Sequence, residues 1–375
     1  MRILIAPDKF KGSLTAPEAA EAIRKGFLRV WPEAVMKTVP VADGGEGTAE
    51  AIRAARGGCW ITLEVTGPMG VQVPARYAWI EEEKLAIIEM SEASGLRCVE
   101  AGGRDPLRAT TYGTGELIAN ASGRGAKKII VGLGGSATND GGMGVAAALG
   151  FHFLTSDGEE LEPIPSNLLA LTRIEPPDAL DLPEMVAASD VRNPLLGPRG
   201  ATATYGPQKG ANAQVIKILE QSLENLAEVA ALDLGCDFRE NPGAGAAGGL
   251  GFGLLTFCQA TLRPGFEVVA EALDLETAVA ASDLIATGEG SLDAQTLEGK
   301  APAGIALLAR KHKKPVVAFA GSVAKDARLD ELFDATFPLD QPSTLAEAMR
   351  DAANLLERAA ERAARQIRIP TPPGS

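Results

Sequence analysis

The chain has 375 residues, with 36 Lys and Arg against 49 Asp and Glu, and so a formal net charge of −13. That length exceeds the ~250–300 residues at which one hydrophobic core stops growing, so two domains are expected. The acidic balance argues against nonspecific binding of nucleic acid or anionic membranes, so local cations stand out.

The cysteines, Cys59, Cys98, Cys236 and Cys258, share no CxxC spacing, which speaks against a zinc cluster or a disulfide framework. No stretch reaches ~18 apolar residues, and the N-terminal RILIAP is too short for the core of a secretory signal. A cytoplasmic, reducing setting is therefore expected. With His152 and His312 the only histidines, carboxylates and lysines are considered before histidine bases.

In chain order, RILIA reads as a strand ending at Pro7, followed by a helix over APEAAEAIRKGFLRVWP with Thr15 as cap and Pro17 in its first turn. AVMKTVPV reads as a second strand, and GTAEAIRAARGG as a helix closed by Gly57 and Gly58. From about residue 59 the alternating runs CWITLEVTG, VQVPARYAWI and KLAIIEM predict antiparallel strands. The strands KKIIVGLGG and EMVAASDV, with helices around 113–122, 142–150 and 212–232, make this part mixed α/β. From residue 283 the order is DLIATGEG strand, APAGIALLARK helix, PVVAFAGS and DATFPL strands, then one long helix PSTLAEAMRDAANLLERAAERAARQI, with TPPGS a frayed tail. Strands apolar throughout belong to sheets covered on both faces. The expected fold is thus α/β. A doubly wound, mainly parallel sheet domain is formed by both chain ends, 1–60 and 283–375, with an inserted mixed α/β domain over 61–282.

Ligands of parallel sheets sit beyond the carboxyl ends of the strands, so four loops of the outer domain are expected to face one crevice. The first carries Asp8, Lys9, Lys11 and Ser13, and the second Asp43, Gly44, Gly45 and Glu46. The third carries Glu289, Asp293, Gln295 and Lys300, and the fourth Gly321 and Ser322. Carboxylates and lysines thus converge. The glycines of DGGEGT permit close backbone approach, while Asp43 and Glu46 are candidate Mg²⁺ ligands. A solvated loop with Ser13 or Thr15 capping a helix is the plainer reading of DKFKGS.

In IIVGLGGSATNDGG, Gly132, Gly134 and Ala137 match G-x-G-x-x-A after a strand, with Asp157 downstream, so an NAD-dependent oxidoreductase acting on a small hydroxy acid is the alternative. Residues 138–142, TNDGG, oppose the helix opening that such a fingerprint needs. The preferred reading has the amides of Gly134 and Gly135 with Ser136 cradling a phosphate, and the helix through MGVAAALG supplying its positive end. PGAGAAGGLGFG is either a tightly packed small-residue helix start or another close ligand approach. Arg108, Thr110, Thr111 and Thr114, in DPLRATTYGTGELI ahead of a helix, either receive a carboxylate or phosphate or only cap that helix. SDVRNPLLG puts Asp190 and Asn193 at a strand end, where a buried Asp capping its own loop is the plainer alternative, and YGPQKGA adds Lys209. No P-loop exists, because the earlier glycine position before Gly299-Lys300 is Ala294.

Seven ordered motifs, APDKFKGSLTA, PVADGGEGT, GLGGSATNDGGMG, SDVRNPLLG, YGPQKGA, PGAGAAGGLGFG and TGEGSLDAQTLEGKAP, closely resemble the type-1 glycerate kinase family over roughly residues 2–340. Departures from the family's pattern are Lys9 for Ser, Ser189 for Cys, Arg192 for Asp and Tyr205 for Phe. The resemblance implies ATP-dependent phosphorylation of D-glycerate with Mg²⁺, in most bacterial members at the 2-hydroxyl, in a two-domain α/β protein with its cleft between domains. Carried onto these residues, it makes Lys11, with Lys9, the cation for phosphate or carboxylate, and Asp190 the group that orients or deprotonates the acceptor hydroxyl. Asp43 and Glu46 would hold the metal, and Gly134, Gly135, Ser136, Glu289, Asp293 and Lys300 would shape the nucleotide side.

Overall fold

Ile3, Leu4 and Ile5 are each at most 1% exposed, a burial on both faces that puts the strand Arg2–Ile5 inside a parallel sheet. The structure, a computed structural model, describes residues 1–294, 296–340 and 344–367. Its chain forms two compact units, Met1–Asp43 with Phe266–Ser375, and Gly44–Gly265. The joints expected near 60 and 282 thus fall at 43/44 and 265/266. The helix Thr48–Arg56 goes with the inner unit because the Glu89 carboxylate accepts from the N–H groups of Gly47 and Ala49, at 3.0 and 2.9 Å. The helix Leu275–Ala280 goes with the outer unit, where Glu276 pairs with Lys311 and His312 at 2.6 and 3.0 Å.

The outer unit is the expected doubly wound α/β layer. Five strands run parallel in the order Ala335–Pro338, Val316–Val323, Leu284–Leu292, Arg2–Ile5 and Val35–Thr38. Succession runs outward in both directions from the pair Arg2–Ile5 and Leu284–Leu292, which makes their carboxyl ends the topological switch point. The helix Ala16–Leu28 begins at a capping box in which Thr15 and Glu18 exchange hydrogen bonds. It buries Ala19, Ile23 and Phe27 against Leu356, Ala359 and Ala360 of the helix Ala352–Gln366, and burial of a side chain such as Phe27 contributes about 2–3 kcal/mol. The two helices pack closely because residue 26 is glycine: a methyl group there would come within 2.2 Å of the Glu357 carbonyl oxygen. The single terminal helix expected from the periodicity is instead two, Leu345–Arg350 and Ala352–Gln366, divided at Asp351. Asp351 leaves helical geometry at φ −100° and ψ 12°, and its carboxylate accepts from the Asn354 side chain, the kind of local bond by which Asp competes with a continuous helix. The TPPGS end lies outside the described residues.

The inner unit carries six strands in the order Thr261–Arg263, Glu184–Ala188, Lys128–Gly132, Leu85–Glu89, Gln72–Ile80 and Cys59–Thr66. The first four are parallel and the last two antiparallel, as the alternating runs predict. Two reversals bring Thr66 to the same rim as Glu89. The helix Tyr112–Gly123 starts at that rim, where its Thr114 hydroxyl contacts the Ser94 hydroxyl at 2.8 Å and Glu116 accepts from the Thr66 N–H at 2.6 Å. The glycines of PGAGAAGGLGFG serve packing: a methyl group on Gly248, whose φ is +71°, would lie 2.0 Å from the Thr138 carbonyl oxygen.

Candidate functional site

At the switch point of the outer unit, Asp8 follows the Arg2–Ile5 strand and donates its N–H to the Gly288 carbonyl at 2.8 Å. Its carboxylate is 5% exposed and accepts the Lys9 N–H at 2.6 Å. Burial, then the charge of Asp43, pushes its pKa from 3.8 up to about 7, with Glu289 adding a smaller push and Lys9 opposing. Glu289 accepts from the Thr296 hydroxyl at 2.7 Å and lies 3.6 Å from the Lys300 ammonium. Burial raises its pKa as well, against Thr296 and Lys300. Asp293 holds the same turn through its N–H on the Thr296 hydroxyl at 3.0 Å. Lys9, Asp43 and Glu289 are therefore brought together around Asp8, with Asp293 and Lys300 beside Glu289. Ser13 lies on the same loop, its hydroxyl donating to the Phe10 carbonyl at 3.0 Å, and Lys11 is exposed there. Gln295 lies outside the described residues. Among those residues no group of three or more His, Cys, Asp or Glu is placed to hold a metal ion. Glu46 is exposed and belongs to the inner unit.

In the inner unit, Asp190 and Asn193 follow the strand Glu184–Ala188, and Gly134, Gly135 and Ser136 follow its neighbour Lys128–Gly132. One carboxylate oxygen of Asp190 accepts the Gly265 N–H at 2.8 Å. The Asn193 amide donates to the Arg199 carbonyl at 2.6 Å and accepts from the Tyr205 hydroxyl at 3.1 Å, so it ties its own loop. Gly135 adopts φ +68° at an exposed apex. A methyl group on Gly132 would come within 2.5 Å of the Gly44 carbonyl oxygen, and one on Gly134 within 3.1 Å of Gly45 Cα. These glycines thus seat the start of the inner unit against its sheet.

The positive helix end expected to assist Gly134–Ser136 is already occupied. The helix Met143–Ala148 has only six residues, and the fully buried carboxylate of Asp140 accepts from the N–H groups of Gly142 and Gly144 at 3.1 and 3.2 Å. That carboxylate also binds Thr111; burial raises its pKa, with these donors opposing. The fingerprint of a dinucleotide site is absent for the same reason, since the helix opens at Met143 and not at Ala137. Lys209 is 1% exposed, and its ammonium donates to the Thr138 carbonyl at 2.6 Å inside the unit. Burial lowers its pKa from 10.5 to about 7, partly offset by Asp140. Thr114 is likewise fully buried.

Arg108 is exposed, has no ion-pair partner among the described residues, and lines a cavity of about 290 Å³ with Thr66, Thr110, Tyr112 and Glu162. Thr66 ends a strand four steps across the sheet from the one that precedes Asp190. At ~4.8 Å per step the separation is about 19 Å. Two groups escaped the reading of the sequence: Asp8, noted only as part of its loop, and Asp140, taken as an obstacle to a helix that it caps. Asp before Gly-Gly at a helix start was the available signal.

The profile of the glycerate kinase family matches residues 3–368. The chain is 45% identical over 375 residues to a protein of Bacillus subtilis (strain 168) named glycerate kinase, covering 98% of each. It is 45% identical over 376 residues to a glycerate 2-kinase of Escherichia coli (strain K12), again covering 98% of each. A crystal structure from Salmonella typhimurium LT2, provisionally named glycerate kinase 2, superposes with a TM-score of 0.87 at 43% identity, covering 97% of each chain.

Proposed function

The chain belongs to the glycerate kinase family and is an enzyme of that kind; from that premise we propose that it transfers the terminal phosphoryl group of ATP to the 2-hydroxyl of D-glycerate, with Mg²⁺. The oxidoreductase alternative is not favoured. The observation that carries the reading is the gathering of Lys9, Lys300, Glu289, Asp43 and the buried Asp8 at the switch point of a doubly wound sheet. Phosphoryl transfer asks for cations about the moving group, a held metal and an oriented hydroxyl, and little else.

Lys9, Lys11 and Lys300 supply the positive charge in an otherwise acidic protein. Asp43 is the proposed Mg²⁺ ligand of the outer unit, with Asp8 beside it. Two mutually repelling carboxylates, one of them held towards its protonated form, are hard oxygen donors of the kind this ion takes in ones and twos. Glu46, three residues further along the same sequence motif, is the second proposed ligand. When bound, the ion neutralises charge on phosphate oxygens. In the inner unit Gly134, Gly135 and Ser136 face a phosphoryl group, and Asp190, on the adjacent strand, orients the acceptor hydroxyl through the carboxylate oxygen that does not take the Gly265 N–H.

The test follows ADP release with D-glycerate and ATP-Mg²⁺, with phosphorus NMR of the product. Glycerate-dependent ADP and a 2-phosphoglycerate resonance are expected, and Lys11→Ala and Lys300→Ala should each lower kcat/KM by ~10²-fold or more. A 3-phosphoglycerate product would overturn the regiochemistry, and absence of glycerate-dependent ADP would overturn the whole reading.

A further inference from the structure

The loop after the strand Lys128–Gly132 carries three consecutive backbone donors with no acceptor among the described residues. The N–H of Leu133 goes to Ala188 and that of Ala137 to Ser94, both at 3.0 Å. Between them, the N–H groups of Gly134, Gly135 and Ser136 have no acceptor among the described residues. The carbonyl of Gly135 is used, accepting from Leu96 at 2.8 Å, so the loop is tied down by its acceptor side while its donors stay open. Gly135, at the apex, is exposed and holds φ +68°, the left-handed geometry that lets successive amides point into one concavity.

Beside this apex stands Ser91, two residues past the end of the neighbouring strand Leu85–Glu89. The nearest atom to the free side of Gly135 is the Ser91 side chain, 3.4 Å from where a methyl group on that glycine would sit. Ser91 is 5% exposed, and its buried hydroxyl has no hydrogen-bond partner among the described residues. The carbonyl of Ser91 is engaged, accepting from the Arg97 guanidinium at 3.0 Å, so the residue is held while its hydroxyl is not. A buried hydroxyl without a partner costs stability, and each such group in a folded protein calls for a cause.

Resting on the phosphotransfer reading above, we propose that Ser91 is a phosphate-binding residue, completing with the amides of Gly134, Gly135 and Ser136 an oxyanion site at the carboxyl rim of the inner sheet. The donors are all neutral and come from two adjacent strand ends, a set that matches a tetrahedral phosphoryl oxyanion without adding charge. The phosphoryl group belongs either to the nucleotide or to the phosphorylated acid; the chemistry is the same.

The test is calorimetric titration of the whole chain and of Ser91→Ala and Ser91→Thr with three probes: ADP, D-2-phosphoglycerate and inorganic phosphate. Ser91→Ala should bind at least one probe tenfold or more weakly, Ser91→Thr should keep most of the affinity, and the melting temperature of Ser91→Ala should be no lower than that of the parent. Weakening confined to ADP assigns the site to the nucleotide, and weakening confined to D-2-phosphoglycerate assigns it to the acid. Unchanged affinities, a melting temperature several degrees lower, or failure of every probe to bind the parent chain would each overturn the proposal. Because binding is read without turnover, a chain that binds as expected yet releases no glycerate-dependent ADP would sink the proposed function and leave this site standing.

Discussion

The backbone N–H and the hydroxyl of Thr111 both donate to one carboxylate oxygen of Asp140, each at 2.7 Å, in a fully buried setting. The same hydroxyl accepts the Val145 N–H at 3.0 Å, so two residues join the start of the helix Tyr112–Gly123 to that of Met143–Ala148. Truncation at Asp140 would strand these donors. Asp140→Ala is expected to lower stability by about 3–5 kcal/mol, the range for breaking a buried charged network. Urea unfolding measures it, and a loss below about 1 kcal/mol would show that the carboxylate is not the anchor described here.

Lys209 makes stability depend on pH. Its pKa lies near 7 in the fold against 10.5 ordinarily, so between those values the unfolded chain binds more protons than the folded one. Stability through this group therefore rises with pH from about 7 towards 10.5 and is flat below 7. Lys209→Met should flatten that rise, a difference on the order of a few kcal/mol between pH 7 and 9.5 in urea midpoints. Parallel profiles for parent and variant would place the lysine elsewhere than against Thr138.

Asp190 allows anchoring and chemistry to be separated. Asn at this position keeps an oxygen for the Gly265 N–H, whereas Ala keeps none. Asp190→Asn is expected to melt within a few degrees of the parent while turnover drops ~10²-fold, and Asp190→Ala to lose stability as well, by about 1–2 kcal/mol. Near-normal turnover by a folded Asp190→Asn would reduce the residue to an anchor.

Gly132 tests the close seating of the DGGEGT loop. A methyl group there meets the Gly44 carbonyl oxygen at 2.5 Å, a backbone atom with no rotamer to escape by. Gly132→Ala should cost about 1–3 kcal/mol, as overpacking does, whereas Gly125→Ala, with no close approach at its position but φ +87°, reports the strain of φ alone. Equal melting temperatures for parent and Gly132→Ala would refute the contact.

Much of the scaffold was legible because its causes are local. Apolar runs such as RILIA and VVAFAG announced strands buried on both faces, alternation announced the antiparallel pair, and Thr15 and Gly57 marked helix ends where the structure has them. The candidate site was legible as a set of loops but not as a set of duties. Lys209 reads as a cation offered to substrate until Thr138, 71 positions earlier, takes its ammonium. Asp140 reads as a helix breaker until Thr111, 29 positions earlier, closes around it.

What the sequence determined by itself was the α/β class, the order of elements and the family, since periodicity, capping and motif order are properties of neighbouring residues. Tertiary structure alone decided which polar groups face inward and which stay open. The carboxyl of Asp8 feels the charges of Asp43 and Glu289, and the amides at Gly134–Ser136 lack acceptors among the described residues, only after distant strands are laid side by side. The reason is that burial and charge act through space: a carboxylate, an ammonium or a hydroxyl takes its character from whatever the fold sets within a few ångströms of it.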